Sequence, residues 1–124
     1  ETIEVEVDPL ESDLVLYNLF KNSLEACKNE AEPLIIISVE QSEQKAVIKI
    51  QDNGPEISED LVNSIFIPKV SQKTDGLGLG LSICKALAES QGGSLTAIRN
   101  EQGHLVMKLC LPMAVPAKDI RKNQ

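Results

Sequence analysis

The chain has 124 residues, the size of one compact domain, and carries a net charge of −7 with no basic cluster before its last few residues. That charge argues against nucleic acid as a partner, because phosphate contacts dominate such affinity. Apolar residues make up 42% but only Tyr17, Phe20 and Phe66 are aromatic, so the core must be assembled from Leu, Ile, Val and Ala. No apolar run is long enough to span a bilayer, and no basic stretch followed by an apolar one marks a signal peptide. Cys27, Cys84 and Cys110 form no CxxC pair and have no nearby histidines, which excludes the usual zinc spacing and fits a reducing cytosol.

In chain order, Thr2 to Asp8 alternates apolar and polar residues and reads as a half-exposed strand ended by Pro9. It follows directly on Glu1, which reads as a fragment cut from a longer protein. Ser12 or Asp13 is expected to cap a helix from Leu14 to about Cys27, with Leu16, Leu19, Phe20, Ser23 and Leu24 at helical spacing. Leu34 to Glu40 and Ala46 to Gln51 read as strands joined by a turn at Ser42-Glu43-Gln44. Asp52-Asn53-Gly54-Pro55 is a dense turn signal. Ser58 opens a short helix to about Ile65, and Phe66 to Asp75 reads as a loop. A glycine-rich run, Gly76-Leu77-Gly78-Leu79-Gly80-Leu81, leads into a helix ending near Ser90 at Gln91-Gly92-Gly93. Ser94 to Arg99 and His104 to Leu111 form a hairpin, Pro112 closes the domain, and 113–124 reads as a polar tail. This order lacks the strand-helix alternation of a doubly wound sheet and predicts an α+β fold, a mostly antiparallel sheet with helices on one face.

Three features carry chemistry. Alternate glycines at Gly76, Gly78 and Gly80 let the backbone bend and turn its N–H groups toward an anion at a helix start, although a plain helix-entry turn has the same composition. No Gly-Lys-Ser/Thr follows, so this is not a P-loop. Asn18 and Asn22 share one helix face a turn apart, either as ordinary helix polars or as hard amide ligands for magnesium. Asp52 follows an apolar strand, where it can accept a hydrogen bond from an exocyclic amine while Gly54 lets a flat ring approach; a simple turn is the alternative.

Together these motifs resemble the ATP-binding catalytic domain of sensor histidine kinases. Asn18-Leu19-Phe20-Lys21-Asn22-Ser23 is similar to the N box, Asp52-Asn53-Gly54-Pro55-Glu56-Ile57 to the first glycine box, Ser64-Ile65-Phe66-Ile67-Pro68 with Lys73 to the F box and its lysine, and Asp75 to Leu81 to the second glycine box. Gln91-Gly92-Gly93 and Leu109-Cys110-Leu111-Pro112 are similar to the end of that domain, so the resemblance spans about residue 1 to Pro112. It implies the Bergerat fold, a two-layer sandwich with a mostly antiparallel mixed sheet. It implies ATP and Mg2+ as cofactors, with Asn22 ligating magnesium and Asn18 beside it. Asp52 and Gly54 then read adenine, Gly76, Leu77, Gly78, Leu79, Gly80 and Leu81 form the phosphate loop, and Lys73 belongs to the lid.

The sequence departs from the pattern at three places: Glu56 stands for a glycine, Lys69 for an aromatic, and His104 for a small hydroxyl residue. The resemblance also implies that the phosphoacceptor histidine lies on a separate helical hairpin. His104 is the single histidine and is expected in a strand. The expected partners are ATP or ADP, that hairpin and, indirectly, a response regulator, with no nucleic acid and no direct membrane contact. The domain is expected to be cytoplasmic and monomeric. Two alternatives remain: an ATPase of the same fold, for which Asn18 stands where a glutamate base is needed, and a degenerate nucleotide-binding or docking module.

Overall fold

In the computed structural model, which describes residues 2–68 and 80–114, four segments pair into one antiparallel sheet. β1 (Ile35–Ser42) pairs with β2 (Lys45–Asp52), and β4 (Leu105–Pro112) lies between β2 and β3 (Ser94–Arg99), giving the order β1-β2-β4-β3. Every pair is antiparallel among the described residues, in keeping with the mostly antiparallel α+β arrangement expected. Glu43, at φ 57°, turns β1 into β2. Between β3 and β4 the Asn100 side chain accepts from the N–H groups of Gln102 and His104, and Gly103 takes φ 89°.

The register aligns side chains in rows across the sheet. Val39, Ile48, Leu109 and Leu95 form one row and Ile37, Ile50, Met107 and Ala97 the next, while Ser38, Lys49, Lys108 and Thr96 form a polar row on the opposite face. The apolar face meets two helices, α1 (Pro9–Cys27) and α3 (Leu81–Ser90). Val15 and Leu19 of α1 and Cys84 and Ala88 of α3 close one core cluster with Ile50, Leu95, Met107, Leu109 and Leu111. Burial pushes the Cys84 thiol above its usual range, so it stays a neutral filler of that core. α2 (Glu59–Ser64) is capped by Ser58, as the sequence suggests.

The N-terminal end differs from expectation. Thr2 to Asp8 forms a single bridge, Val5 to Met113, rather than a strand. Glu6 N–H donates to Pro112 O, but Pro112 has no N–H to return, so the ladder stops there. Ala114 N–H donates to Glu4 O, which carries pairing two residues past Pro112. Pro9 does not end an element; it occupies the first turn of α1, where its missing N–H costs nothing. Asp8 is the cap, accepting from Glu11 N–H at 3.0 Å, so the helix begins earlier than Leu14 and neither Ser12 nor Asp13 caps it. His104 likewise precedes β4, held by Asn100 through its backbone, and is not a strand residue.

Leu19, at 1% exposure, is the largest fully buried side chain of α1. Leu19→Ala should cost about 2–5 kcal/mol of stability, read as a lower urea midpoint with unchanged slope.

Candidate functional site

The two α1 asparagines have different surroundings. Asn18 is 2% exposed, and its amide N–H donates to Leu14 O at 2.7 Å. Asn22, one turn on, is exposed and makes no hydrogen bond through its amide among the described residues, which leaves its carbonyl oxygen available to a cation.

The end of β2 is folded against this helix. Asp52 Oδ1 accepts from Gly54 N–H at 2.9 Å. Asn53 secures the turn: its Oδ1 accepts from Leu34 N–H and its Nδ2 donates to Glu32 O, each at 2.9 Å. A Cβ on Gly54 would lie 2.4 Å from Ala26 O, so the backbone there touches α1 directly. Ala26 is four residues after Asn22, on the same helix face. The turn therefore brings Asp52 and Asn22 to one end of α1. The close approach made by Gly54 is to this carbonyl, a role the sequence did not suggest, and Ala26 was not singled out. A small residue one turn past Asn22 was the available signal.

Glu56 lies against the β3–β4 turn, its side-chain atoms 3.1–3.2 Å from where a Gly103 Cβ would sit. Ile57 N–H donates to Gly103 O at 2.8 Å, and Arg99 Nε donates to Ile57 O at 2.7 Å. Beyond α2, Phe66 packs against the core, with the Lys85 ammonium 5.1 Å from its ring centroid. Lys85 also donates to Leu95 O and pairs with Glu89, both at 3.2 Å. Lys69, Lys73, Asp75, Gly76, Leu77, Gly78 and Leu79 lie outside the described residues. Gly80 and Leu81 are described: Gly80 caps α3 without a side chain, whereas α1 and α2 are capped by Asp8 and Ser58. An uncapped helix start leaves its first N–H groups for an anion.

Among the described residues no group of three His, Cys, Asp or Glu could hold a metal. A magnesium ion here would need its oxygens from Asn22 and from phosphates, which is the donor set magnesium prefers when it arrives with a nucleotide. A shallow depression of about 500 Å3 is lined by Glu30, Ala31, Glu32, Pro33, Leu34 and Asn53. The Asn53 amide is already committed to the turn, so that depression offers little to bind.

Residues 7–115 match the family described as histidine kinase-, DNA gyrase B- and HSP90-like ATPase, and the chain belongs to it. Within that family its likeness is to the catalytic domains of sensor histidine kinases. It is 33% identical to the sensor histidine kinase ZraS of Escherichia coli over 118 residues, 94% of this chain and 24% of that protein. The catalytic domain of histidine kinase ThkA superposes with a TM-score of 0.73 at 35% identity, covering 87% of this chain and 70% of that one. ThkA in complex with the response regulator protein TrrA gives 0.71 at 30% identity, covering 89% and 30%. The chain spans about a quarter or less of the length of the curated relatives it matches. No helix among the described residues is long and apolar enough to cross a membrane.

Gly54→Ala should separate Asp52 from α1, because the new methyl meets a backbone carbonyl that cannot swing away. The expected loss is about 1–3 kcal/mol of stability, with nucleotide affinity falling in the fraction that stays folded. A thermal melt and a titration on the same sample read both.

Proposed function

We propose that this chain binds Mg-ATP between α1 and α3 and passes the γ-phosphoryl group to a histidine carried on a separate helical hairpin of a longer sensor kinase. The observation that carries this reading is the seating of Gly54 on Ala26. It supports a single site in which Asp52 accepts from the adenine amino group, while Asn22 faces the phosphates one helical turn away. Gly76, Gly78 and Gly80, with Leu77, Leu79 and Leu81 anchoring between them, would turn backbone N–H groups to the phosphates where α3 begins uncapped. Lys73 would add positive charge from the lid segment.

Phosphoryl transfer asks mainly for alignment and charge neutralisation. Magnesium, which the Asn22 carbonyl oxygen would help hold, would supply Lewis acidity that offsets phosphate charge. The chain's own residues orient the nucleotide at both ends: Asp52 at the base, Asn22 and the glycine backbone at the phosphates. The nucleophile comes from elsewhere, because His104 is fixed through its backbone to Asn100 in the hairpin turn. Water is a poor competitor. Asn18, where an ATPase would need a glutamate base, is a buried amide donating to Leu14 O and cannot take a proton at neutral pH. The phosphohistidine formed would be passed to a response regulator, a reading supported by the ThkA complex with TrrA. Use of ATP fits a cytosolic setting.

Calorimetry should give a micromolar Kd for Mg-ATP, about −7 to −8 kcal/mol. Asp52→Asn should weaken it by about 1.5–3 kcal/mol, since an acceptor becomes in part a donor. No heat at millimolar nucleotide would contradict the reading.

The chain alone should remain unlabelled by radioactive ATP and should label an added helical hairpin bearing the acceptor histidine. Asn22→Ala should abolish that labelling. Label appearing on His104 of the isolated chain would contradict the assignment.

A further inference from the structure

The amide of Gln91 ties together the two helices that flank the site. Its Oε1 accepts from Asp8 N–H at 2.6 Å and from the Ser12 hydroxyl at 3.3 Å, and its Nε2 donates to Leu87 O at 3.3 Å. Asp8 is the N-cap of α1, Ser12 is 6% exposed in its first turn, and Gln91 is the C-cap of α3. One side chain thus joins the start of α1 to the end of α3. The turn that carries it is fastened to the sheet: Lys45 Nζ donates to Gly92 O at 2.7 Å, and Gly93 packs so close that a Cβ would lie 2.1 Å from Cys110 O.

From this knot the helices run outward in contact, Val15 and Leu19 sharing a cluster with Ala88 and Cys84. Asn22 stands ten residues along α1 from Ser12, and Leu81 ten residues back along α3 from Gln91. Each arm is therefore about 15 Å long. The proposed magnesium ligand and the start of α3 thus lie equally far from Gln91 along two packed helices joined there, with α1 running on to Cys27. Asp52 and Gly54, by contrast, are placed by β2, by the Asn53 bonds to Leu34 and Glu32, and by α1.

We propose that Gln91 is a positioning residue for the phosphate half of the nucleotide site: by fixing α1 to α3 at one end, it sets the separation of Asn22 and Gly80 at the other. This rests on the Mg-ATP reading above. A ligand that spans both arms depends on the knot, and one that occupies only the adenine end does not.

The test compares Mg-ATP with adenosine by calorimetry on the parent chain, Gln91→Leu and Gln91→Glu, with thermal melts of each. Gln91→Leu should weaken Mg-ATP about tenfold, the equivalent of one lost hydrogen bond, and leave adenosine within about twofold. Gln91→Glu keeps the acceptor for Asp8 and Ser12, and the α1 N-terminus favours its charge, so it should restore most of the Mg-ATP affinity. Equal losses for both ligands, or a folded Gln91→Leu that binds Mg-ATP like the parent, would overturn the role. If Gln91→Leu does not fold, Ser12→Ala decides: a smaller loss confined to Mg-ATP supports the proposal, and an even loss or none overturns it. The parent is titrated first. Absence of binding there sinks the functional reading itself, whereas tight parent binding with unbiased losses sinks only the role of Gln91.

Discussion

The backbone of Gly54 rests on the carbonyl of Ala26 with no room for a methyl group between them. Much of the site depends on that contact. β2 is fixed in the sheet by β1 and β4, and α1 is fixed on the sheet by Val15 and Leu19. Where the two elements end, a larger residue would wedge them apart and carry Asp52 away from the helix that bears Asn22. The hydrogen bonds of Asn53 to Leu34 and Glu32 hold the turn in the shape that makes the contact. A side chain absent at one position thus sets the distance between two groups that the sequence separates by thirty residues.

The second constraint is the division of labour between the α1 asparagines. Both are amides a turn apart, yet Asn18 is buried and donates to Leu14 O, while Asn22 is exposed. A buried polar group must be satisfied, and the Asn18 amide N–H finds a partner one turn back in its own helix. The same burial removes it from acid-base chemistry. Asn18 therefore cannot activate water, in keeping with the proposed transfer to an acceptor on another domain.

The fold was legible where hydrophobic period and turn chemistry agree. The β1–β2 hairpin, the Ser58 cap of α2, and the Gly80 entry and Gln91 exit of α3 follow from local rules. At the N-terminus, alternation at Thr2 to Asp8 promises a strand, but the fate of such a segment depends on its partner. That partner carries Pro112, whose missing N–H ends the ladder. Pro9 suggests a stop but starts a helix, a choice decided by the Asp8 cap beside it. The candidate site was visible as motifs, but its joints were not. Ala26 and Gln91 carry no chemical signature; one matters for what it lacks and the other for contacts at a sequence separation of 83 residues.

The most direct test of the shared site is an amide NMR titration of the chain with ADP, first without and then with magnesium. The account predicts that nucleotide shifts Gly54, Asp52 and Ala26 together with Gly80 and Leu81, and that magnesium then adds a change at Asn22. Shifts confined to the depression around Glu30 to Leu34, or Asn22 indifferent to magnesium while the nucleotide is bound, would contradict it.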